Sequence, residues 1–472
     1  MLEKFNRFLD DEQQLIFQMA EIFVNSAEKS ISINYLQKEL GISRHQVLTV
    51  FDSLEFIIET GDMTNVNTTY NGQGLLTVQG LNTGYLKLIL KTMAIKSVRL
   101  NILLNMYLGI YGSTTQFLTQ FGISRATYYR NIRRIHHIIS EYFIGKRRRN
   151  EAEIRQVIFS IIHHFFDNAE VLTNNLGGQV AEAIDQLKQE LQNVSLTFTE
   201  KGKLINFAFV QAGRIQQGKL IKHEYAVDRD LSFLNVMNSM WQLNDKDLKG
   251  ELEYMYIYLV INELITDPID ENWNMSPLGE INMIIIKQIN LLDDIFGRVV
   301  EPGLLQQVRQ ELTKINTKVF SPFYFSETFV DPVKVPFFTE TYPELDLIVK
   351  QMLEILCTSN QLRLDKSILT QVYYAYMLFI MERLPTNILS NSVKIAVDFS
   401  NGRLYTRYIS AQLRQFKSLN IEITNELNED TDIFLSDQAL EKQECEQVIW
   451  EAPPIAQDWE LLGDLIVKIK QQ

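Results

Sequence analysis

The sequence predicts a mainly α-helical, multi-domain fold with two N-terminal (winged) helix-turn-helix units, two helical-bundle domains and a small C-terminal α/β domain. The chain has 472 residues, more than one hydrophobic core usually organises. Apolar residues recur at helical spacing through most of it, and the tetrad GISR occurs twice, at 41–44 and 122–125. After residue 391 short β-prone runs alternate with helical segments, which is typical of an α/β domain.

The first helix-turn-helix unit is assigned to residues 1–84. Asp10 and Asp11 can cap a helix that carries apolar residues at helical spacing. The turn at Gly41 lies between two further amphipathic segments. Residues 63–84 are rich in Asn, Thr and Gly and contain short β-prone runs, so they predict a wing hairpin followed by a linker.

The second unit is assigned to residues 85–165. Ser113 and Thr114 are N-cap candidates for one helix, and Ser124 can cap the next by accepting a hydrogen bond from a free backbone N–H. Gly122 supplies the backbone freedom that a sharp turn between the two helices requires. The order of helix, short turn and basic helix is the layout of a DNA-reading helix-turn-helix.

Charge is distributed unevenly along the chain. The whole chain has a formal net charge of −13, yet residues 63–150 hold twelve Lys or Arg and a single acidic residue. The run KRRR at 146–149 closes this basic block, and the rest of the chain is acidic. A basic block inside an acidic chain indicates a nucleic-acid contact confined to one face.

In the second unit, several polar and basic side chains are expected on the outer face of the second helix. Arg can pair bidentately with guanine and Asn with adenine, and Arg also neutralises phosphates. Ala126, Ile132 and Ile135 are expected to face the first helix of the pair. The alternative is a helical hairpin with a solvated basic face. The candidate DNA-binding residues are Ser124, Arg125, Thr127, Tyr128, Arg130, Asn131, Arg133 and Arg134.

The first unit offers a second, weaker set of candidates. Residues 1–62 hold five basic and eleven acidic residues, so a structural helix pair that reads no DNA is a serious alternative there. The candidate DNA-binding residues in this unit are Ser43, Arg44, His45, Gln46 and Thr49.

Amphipathic helices continue to residue 391, where the pattern changes. Their length fits two helical bundles, assigned to 166–280 and 281–391. Residues 392–472 read as strand, helix, three further strands and a final helix, which predicts a compact α/β domain around a mostly parallel sheet.

No pattern in the sequence points to catalysis. It holds neither a P-loop nor a dinucleotide-binding fingerprint, and its two cysteines, Cys357 and Cys445, are far apart. We therefore expect no enzyme, cofactor or metal site. The charged N-terminus lacks a signal core, and the apolar runs are too short to span a membrane, so a cytoplasmic protein is expected.

With these parts in this order, the chain resembles the Mga/AtxA family of virulence transcription regulators from Gram-positive bacteria. The resemblance rests on the segments LGISRHQVLTVF and FGISRATYYRNIRRI, two helical bundles and an α/β end. It implies that the bundles are phosphotransferase-system regulatory domains (PRDs) and that the C-terminal domain is EIIB-like. It also implies promoter binding as a homodimer or higher homo-oligomer, assembled through the C-terminal region, and phosphotransferase-system proteins as partners.

Phosphorylation of bundle histidines is a further implication of the resemblance. In FAFVQAGRIQQGKLIKHEY, Lys219 stands where the family's histidine is expected, which leaves His223 as the candidate phosphorylation residue. The loop SNGR at 400–403 lacks the cysteine of active EIIB domains. The expected function is therefore a DNA-binding transcriptional regulator. The alternative is an assembly or phosphotransfer-sensing protein in which the helix-turn-helix units are scaffolding.

Overall fold

The computed structural model describes most of the chain, and its described residues group into two compact units. Unit 1 comprises residues 1–275 and 321–329, and unit 2 comprises 276–320 and 330–472. The described residues are 3–61, 63–141, 150–172, 176–190, 196–222, 225, 227–265, 278–296, 302–320, 323, 338–339, 341–359, 366–384, 392–416, 421–440, 445–450 and 453–470.

Unit 1 begins with a winged helix-turn-helix. The strands form an antiparallel sheet in the order β1-β3-β2, with Ile31 opposite Leu76 and Thr68 opposite Val78. The predicted wing hairpin is confirmed as β2 and β3. The elements are α1 (Glu3–Asn6), α2 (Asp11–Asn25), β1 (Ser30–Ser32), α3 (Ile33–Leu40), α4 (Arg44–Thr60), β2 (Asn67–Tyr70) and β3 (Leu75–Gln79).

The second helix-turn-helix consists of helices alone. Between β3 and residue 392, the described part of the chain contains no strand. The expected wing is therefore present in the first helix-turn-helix and not in the described residues of the second. The helix α6 is buried on most sides, because Leu100, Ile102, Leu103 and Leu104 are all inaccessible to solvent. The elements are α5 (Thr83–Lys96), α6 (Val98–Leu108), α7 (Thr114–Phe121) and α8 (Arg125–Glu141).

The rest of unit 1 is a helical assembly built around α11. Aromatic side chains fill its core. The rings of Phe207 and Tyr258 stack with centroids 3.6 Å apart, and the ring centroids of Phe323 and Tyr254 are 4.9 Å apart. The helices are α9 (Glu151–Phe165), α10 (Leu176–Glu190), α11 (Phe198–Gln216), α12 (Asn238–Trp241) and α13 (Asp245–Ile261), with 3₁₀ turns at Ala169–Leu172 and Ser232–Met237.

Unit 2 opens with four helices that pack as a bundle. Its core holds a polar triad: Gln288 donates to Tyr376 Oη (2.8 Å), which donates to Asn316 Oδ1 (2.6 Å), and Asn316 donates to Gln288 Oε1 (2.9 Å). All three side chains are fully buried, and each satisfies the others. The helices are α14 (Leu278–Phe296), α15 (Pro302–Phe320), α16 (Pro343–Ser359) and α17 (Lys366–Arg383).

The C-terminal α/β domain has a fully parallel sheet in the order β5-β4-β6-β7. This confirms the predicted alternation of strands and helices. Val393, Ile395 and Val397 of the central strand form the core with Ile409 and Leu462 of the two helices. The elements are β4 (Val393–Asp398), α18 (Arg403–Leu413), β5 (Ile421–Thr424), β6 (Ile433–Ser436), β7 (Glu446–Ile449) and α19 (Ala456–Lys470).

Taken together, the structure is mainly helical, with small sheets in the wing and at the C-terminal end. Among the described helices, none combines the length and the apolar character that crossing a bilayer requires.

Candidate nucleic-acid interface

The two GISR tetrads form the same turn. Gly41 and Gly122 both end a helix in the left-handed conformation, with φ of 66° and 61°. In each turn the following Ile amide bonds back to the preceding helix, Ile42 to Gln37 O (3.3 Å) and Ile123 to Leu118 O (3.2 Å). Left-handed backbone favours glycine, so the repeated Gly sets the same break between two helices in both units.

Serine caps the second helix of each pair. The Ser43 hydroxyl accepts from the Gln46 amide, and the Gln46 side chain accepts from the Ser43 amide at 2.9 Å, which completes a capping box. Ser124 accepts from the Thr127 amide at 3.1 Å. The predicted cap at Ser124 is confirmed. These caps fix the starting points of α4 and α8, whose first turns are where a helix-turn-helix contacts base edges.

The outer face of α8 is basic and aromatic. Arg125, Arg130 and Arg133 are exposed, and no hydrogen bond or ion pair with another described residue engages them. Tyr129, which is 53% exposed, lies among them. Guanidinium groups left free in this way can bind phosphates or guanine edges, and the tyrosine supplies a ring and a hydroxyl.

Two residues expected on the outer face of α8 are buried instead, so their predicted placement was wrong. Tyr128 is 5% exposed and packs its ring against Phe117 of α7, with centroids 5.5 Å apart. Asn131 is 9% exposed and accepts a hydrogen bond from Arg99 Nε at 3.2 Å. Both side chains face protein because α8 packs against α6 and α7 together, which buries a wider stripe than one partner helix would.

The expected inner face of α8 also needs correction. Ala126 is exposed, although it was expected to face α7. Ile135 is fully buried, and Ile132 is partly buried, in line with the expectation. Thr127 is half-buried, and its hydroxyl lies 3.0 Å from the Ser124 hydroxyl, so it supports the cap. The exposed residues of this stretch are Ser124, Arg125, Ala126, Tyr129, Arg130, Arg133, Arg134, His136, His137 and Ser140.

Arg134 is half-exposed but already engaged. Its guanidinium makes two 2.9 Å contacts with the Asp11 carboxylate of the first unit. Burial opposes ionisation of Asp11, but the hydrogen bond and charge of Arg99, followed by those of Arg134, hold the pKa of this carboxyl below its usual value. Arg134 thus links two parts of unit 1, a role that the sequence did not indicate.

In the first helix-turn-helix unit, all the candidate residues are exposed on the first turns of α4; they are Ser43, Arg44, His45, Gln46 and Thr49. The Arg44 guanidinium donates to the Tyr70 hydroxyl of the wing at 3.3 Å. Further along α4 the exposed side chains include two acids and a phenylalanine, Asp52, Glu59 and Phe56. A phosphate backbone would be repelled from that end of the helix, so α4 can approach DNA only through its N-terminal turns.

The wing itself contributes no charge. Residues 63–82 contain neither an acidic nor a basic side chain. At its tip, Asn71 Oδ1 accepts from the amides of Gln73 (2.9 Å) and Leu75 (3.0 Å), which holds the loop closed. A contact of the wing with phosphates would therefore use amide and hydroxyl donors only.

The basic block offers fewer free cations than its composition suggests. Arg99 is 4% exposed and bonded within the protein, and Lys91 lies 3.4 Å from the Asp167 carboxylate. The KRRR run at 146–149 lies outside the described residues. The strongest concentration of free positive charge among the described residues of the block is the outer face of α8.

The candidate phosphorylation residue His223 also lies outside the described residues. Four residues earlier in the sequence, the Lys219 carbonyl accepts a hydrogen bond from the buried Arg155 guanidinium at 2.8 Å. In the α/β domain, the SNGR loop bends towards the end of β6, where the Ser400 amide donates to Asp437 Oδ1 at 2.9 Å and its hydroxyl to Oδ2.

No protein-family model matches the chain, and no curated protein matches it either. No group of three or more His, Cys, Asp or Glu side chains within the described ranges could hold a metal ion.

Proposed function

We propose that the chain is a cytoplasmic, DNA-binding transcriptional regulator of the Mga type. It binds double-stranded promoter DNA through its helix-turn-helix units, and α8 is the main contact. The observation that carries this proposal is the outer face of α8, where Arg125, Arg130 and Arg133 stand exposed around Tyr129. They lie on the helix that follows a capped, glycine-broken turn, which is the position of a recognition helix.

The bundles are proposed to respond to a signal, in the manner of PRDs, and to pass it to the DNA-binding units. A direct contact supports this role: Arg214 of α11 donates to the Tyr107 carbonyl of α6 (3.0 Å) and to both Glu151 oxygens (2.7 Å each). Arg155 then joins Glu151 to the buried Glu251 of α13. A shift in α13 would therefore reach α6, the helix that packs against α8.

Assembly into a homodimer or larger homo-oligomer is proposed for the C-terminal region. On α18, Leu404 and Tyr408 are 78% and 56% exposed, one helical turn apart. Exposed apolar side chains in such a pair suit an interface between subunits. Deleting 393–472 is expected to lower the number of subunits per particle, which light scattering gives as the particle mass divided by the mass of one chain. An unchanged number of subunits would reject this part of the proposal.

A direct binding experiment tests the function as a whole. Full-length protein is used to select duplexes from a random library, and the affinity for the selected duplex is measured by mobility shift. We expect enrichment of a defined sequence and tight binding at moderate salt. A library that remains random after repeated selection would favour the alternative, an assembly or phosphotransfer-sensing protein with the helix-turn-helix units as scaffolding.

A further inference from the structure

Arg99 occupies an unusual place for a charged residue. It is the second residue of α6 and only 4% exposed, in a helix that is otherwise buried among apolar side chains. A buried guanidinium is tolerated only when its donors find partners. Here Nε donates to Asn131 Oδ1 (3.2 Å), Nη1 to the carbonyls of Arg7 (3.1 Å) and Leu9, and Nη2 to Asp11 Oδ1 (2.9 Å).

These partners belong to both helix-turn-helix units. Arg7 and Leu9 lie between α1 and α2 of the first unit and Asp11 begins α2, whereas Asn131 lies on α8 of the second. One side chain therefore holds the recognition helix of one unit against the N-terminal segment of the other. Because hydrogen bonds to a planar guanidinium are directional, they fix orientation as well as distance.

The neighbouring acid reinforces the same joint. Asp10 accepts from the backbone amides of Val98 (2.8 Å) and Arg99 (3.1 Å), so a side chain of the first unit caps a helix of the second. An aspartate at this end also suits the helix dipole. The start of α6 is thus held on the first helix-turn-helix unit independently of any contact made by α8.

Two further contacts hold α8 against the first helix-turn-helix unit. Arg134 forks onto the Asp11 carboxylate, and Arg7 forks onto Glu141 at the end of the helix with distances of 2.6 and 2.9 Å. Together with Asn131, α8 is held at three positions between Asn131 and its last residue, Glu141. A helix held at three points by directional contacts cannot rotate freely against the first unit.

We infer that Arg99 is a positioning residue that fixes α8 on the first winged unit, so that both helix-turn-helix units meet DNA as one rigid body. This inference rests on the proposed function and deepens it. When two reading helices cannot move relative to each other, the segments of DNA that they contact must keep one spacing and one helical phase. The chain then recognises a two-part site of fixed spacing, and Arg99 determines that specificity without touching DNA.

The rigid joint can be measured without DNA. Spin labels are placed at Asp52→Cys on α4 and His136→Cys on α8, both exposed, after Cys357 and Cys445 have been replaced by serine. Electron–electron distance measurement is expected to give one narrow distribution. Arg99→Met should widen it at least about twofold, because the joint loses every hydrogen bond of the Arg99 guanidinium, including the bond to Asn131 of α8. A broad distribution in the parent protein, or an equally narrow one in Arg99→Met, overturns the inference.

A matched control and a milder variant complete this experiment. Lys38→Met removes an exposed charge of the first unit and should leave the distribution unchanged. If Arg99→Met fails to fold, as judged by circular dichroism, the pair Arg7→Gln and Asp11→Asn removes partners of the joint while the guanidinium keeps its bond to the Leu9 carbonyl. That pair is also expected to widen the distribution, and an unchanged width counts against the inference.

The specificity is tested with a duplex selected from a random library. Inserting five base pairs, roughly half a helical turn, between the two protected segments should weaken binding of the parent protein at least about tenfold. The loss in Arg99→Met should stay below about threefold, because the loosened units can adjust. Equal tolerance of the insertion by both proteins overturns the fixed spacing. If the parent protein binds no duplex, the proposed function fails, while the spin-label distances still decide whether the joint is rigid.

Discussion

Replacing Arg130 and Arg133 together by alanine removes two of the three free arginines on the outer face of α8. Both side chains are exposed and bond to no other described residue, so the fold should tolerate the change, with stability altered by about 0.5 kcal/mol or less. If each guanidinium neutralises one phosphate, the loss of two contacts reduces the slope of log affinity against log salt by about 1.8, since each phosphate contributes about 0.9.

The same relation sets the size of the binding defect at each salt concentration. At about 50 mM monovalent salt the double variant should bind roughly 200-fold more weakly than the parent protein, and at about 150 mM only roughly 30-fold. The defect shrinks with salt because each counterion released into a more concentrated salt solution gains less entropy. Fluorescence anisotropy on a selected duplex measures both values in one titration series.

A control separates local contact from general charge. Lys188→Ala combined with Arg309→Ala removes the same charge from exposed positions outside the helix-turn-helix units. It should leave the slope unchanged and weaken binding less than about threefold, because neither side chain belongs to the units proposed to contact phosphates. If the α8 variant behaves like this control, or if its defect is the same at both salt concentrations, α8 does not contact phosphates.

Three further predictions concern unit 1. Gly122→Ala forces a side chain into left-handed backbone and should destabilise the protein by about 1–2 kcal/mol in thermal unfolding. Its control, Gly178→Ala, lies in the helix α10 with open space around it and should stabilise the protein by up to about 1 kcal/mol. If Gly178→Ala proved the more destabilising of the two, the left-handed turn at Gly122 would be refuted. Arg155→Met leaves the Glu251 carboxylate buried without its main partner and should cost about 3–5 kcal/mol, and a loss below about 1 kcal/mol would show that the pair is not buried as described. Burial, then the charges of neighbouring groups, lowers the pKa of His164 to about 3, so the unfolded state binds more protons between pH 3 and 6.5 and stability must fall as the pH drops through that range; denaturant titrations at pH 7 and pH 5 measure this loss, which His164→Phe should reduce.

Local signals in the sequence were enough to predict most of the fold. Ser113 and Ser124 were recognised as caps because serine before a helical pattern satisfies free backbone amides, and both cap as expected. The strands of the C-terminal domain followed from short β-prone runs between turns, and the structure confirms a parallel sheet. Such features depend on neighbouring residues along the chain, which a sequence displays directly.

The orientation of α8 depended on contacts that are distant in sequence. The polarity of Asn131 favours the DNA-facing side, yet its partner Arg99 lies 32 residues earlier. The positive charge of Arg134 favours the same side, yet its guanidinium pairs with Asp11. The charge of a residue does not reveal which buried group it serves, so periodicity alone could not separate the contacting arginines from the structural one.

One signal could have revealed Arg99. The segment Val98–Leu108 is apolar on nearly every side, which is typical of a buried helix. A charged residue in such a helix must have partners in the fold. The apolar surroundings place Arg99 in the interior and not among the DNA-binding charges, but they do not identify Asp11 or Asn131 as its partners.

Genome-wide mapping of bound DNA tests the central claim most directly. The full-length chain and the Arg130→Ala, Arg133→Ala variant are each cross-linked and recovered from the host cell at equal abundance. We expect discrete sites upstream of genes for the parent protein, and loss of most of them in the variant. A parent profile that cannot be distinguished from a mock recovery, or identical sites in both proteins, would contradict the claim that α8 places this protein on promoter DNA.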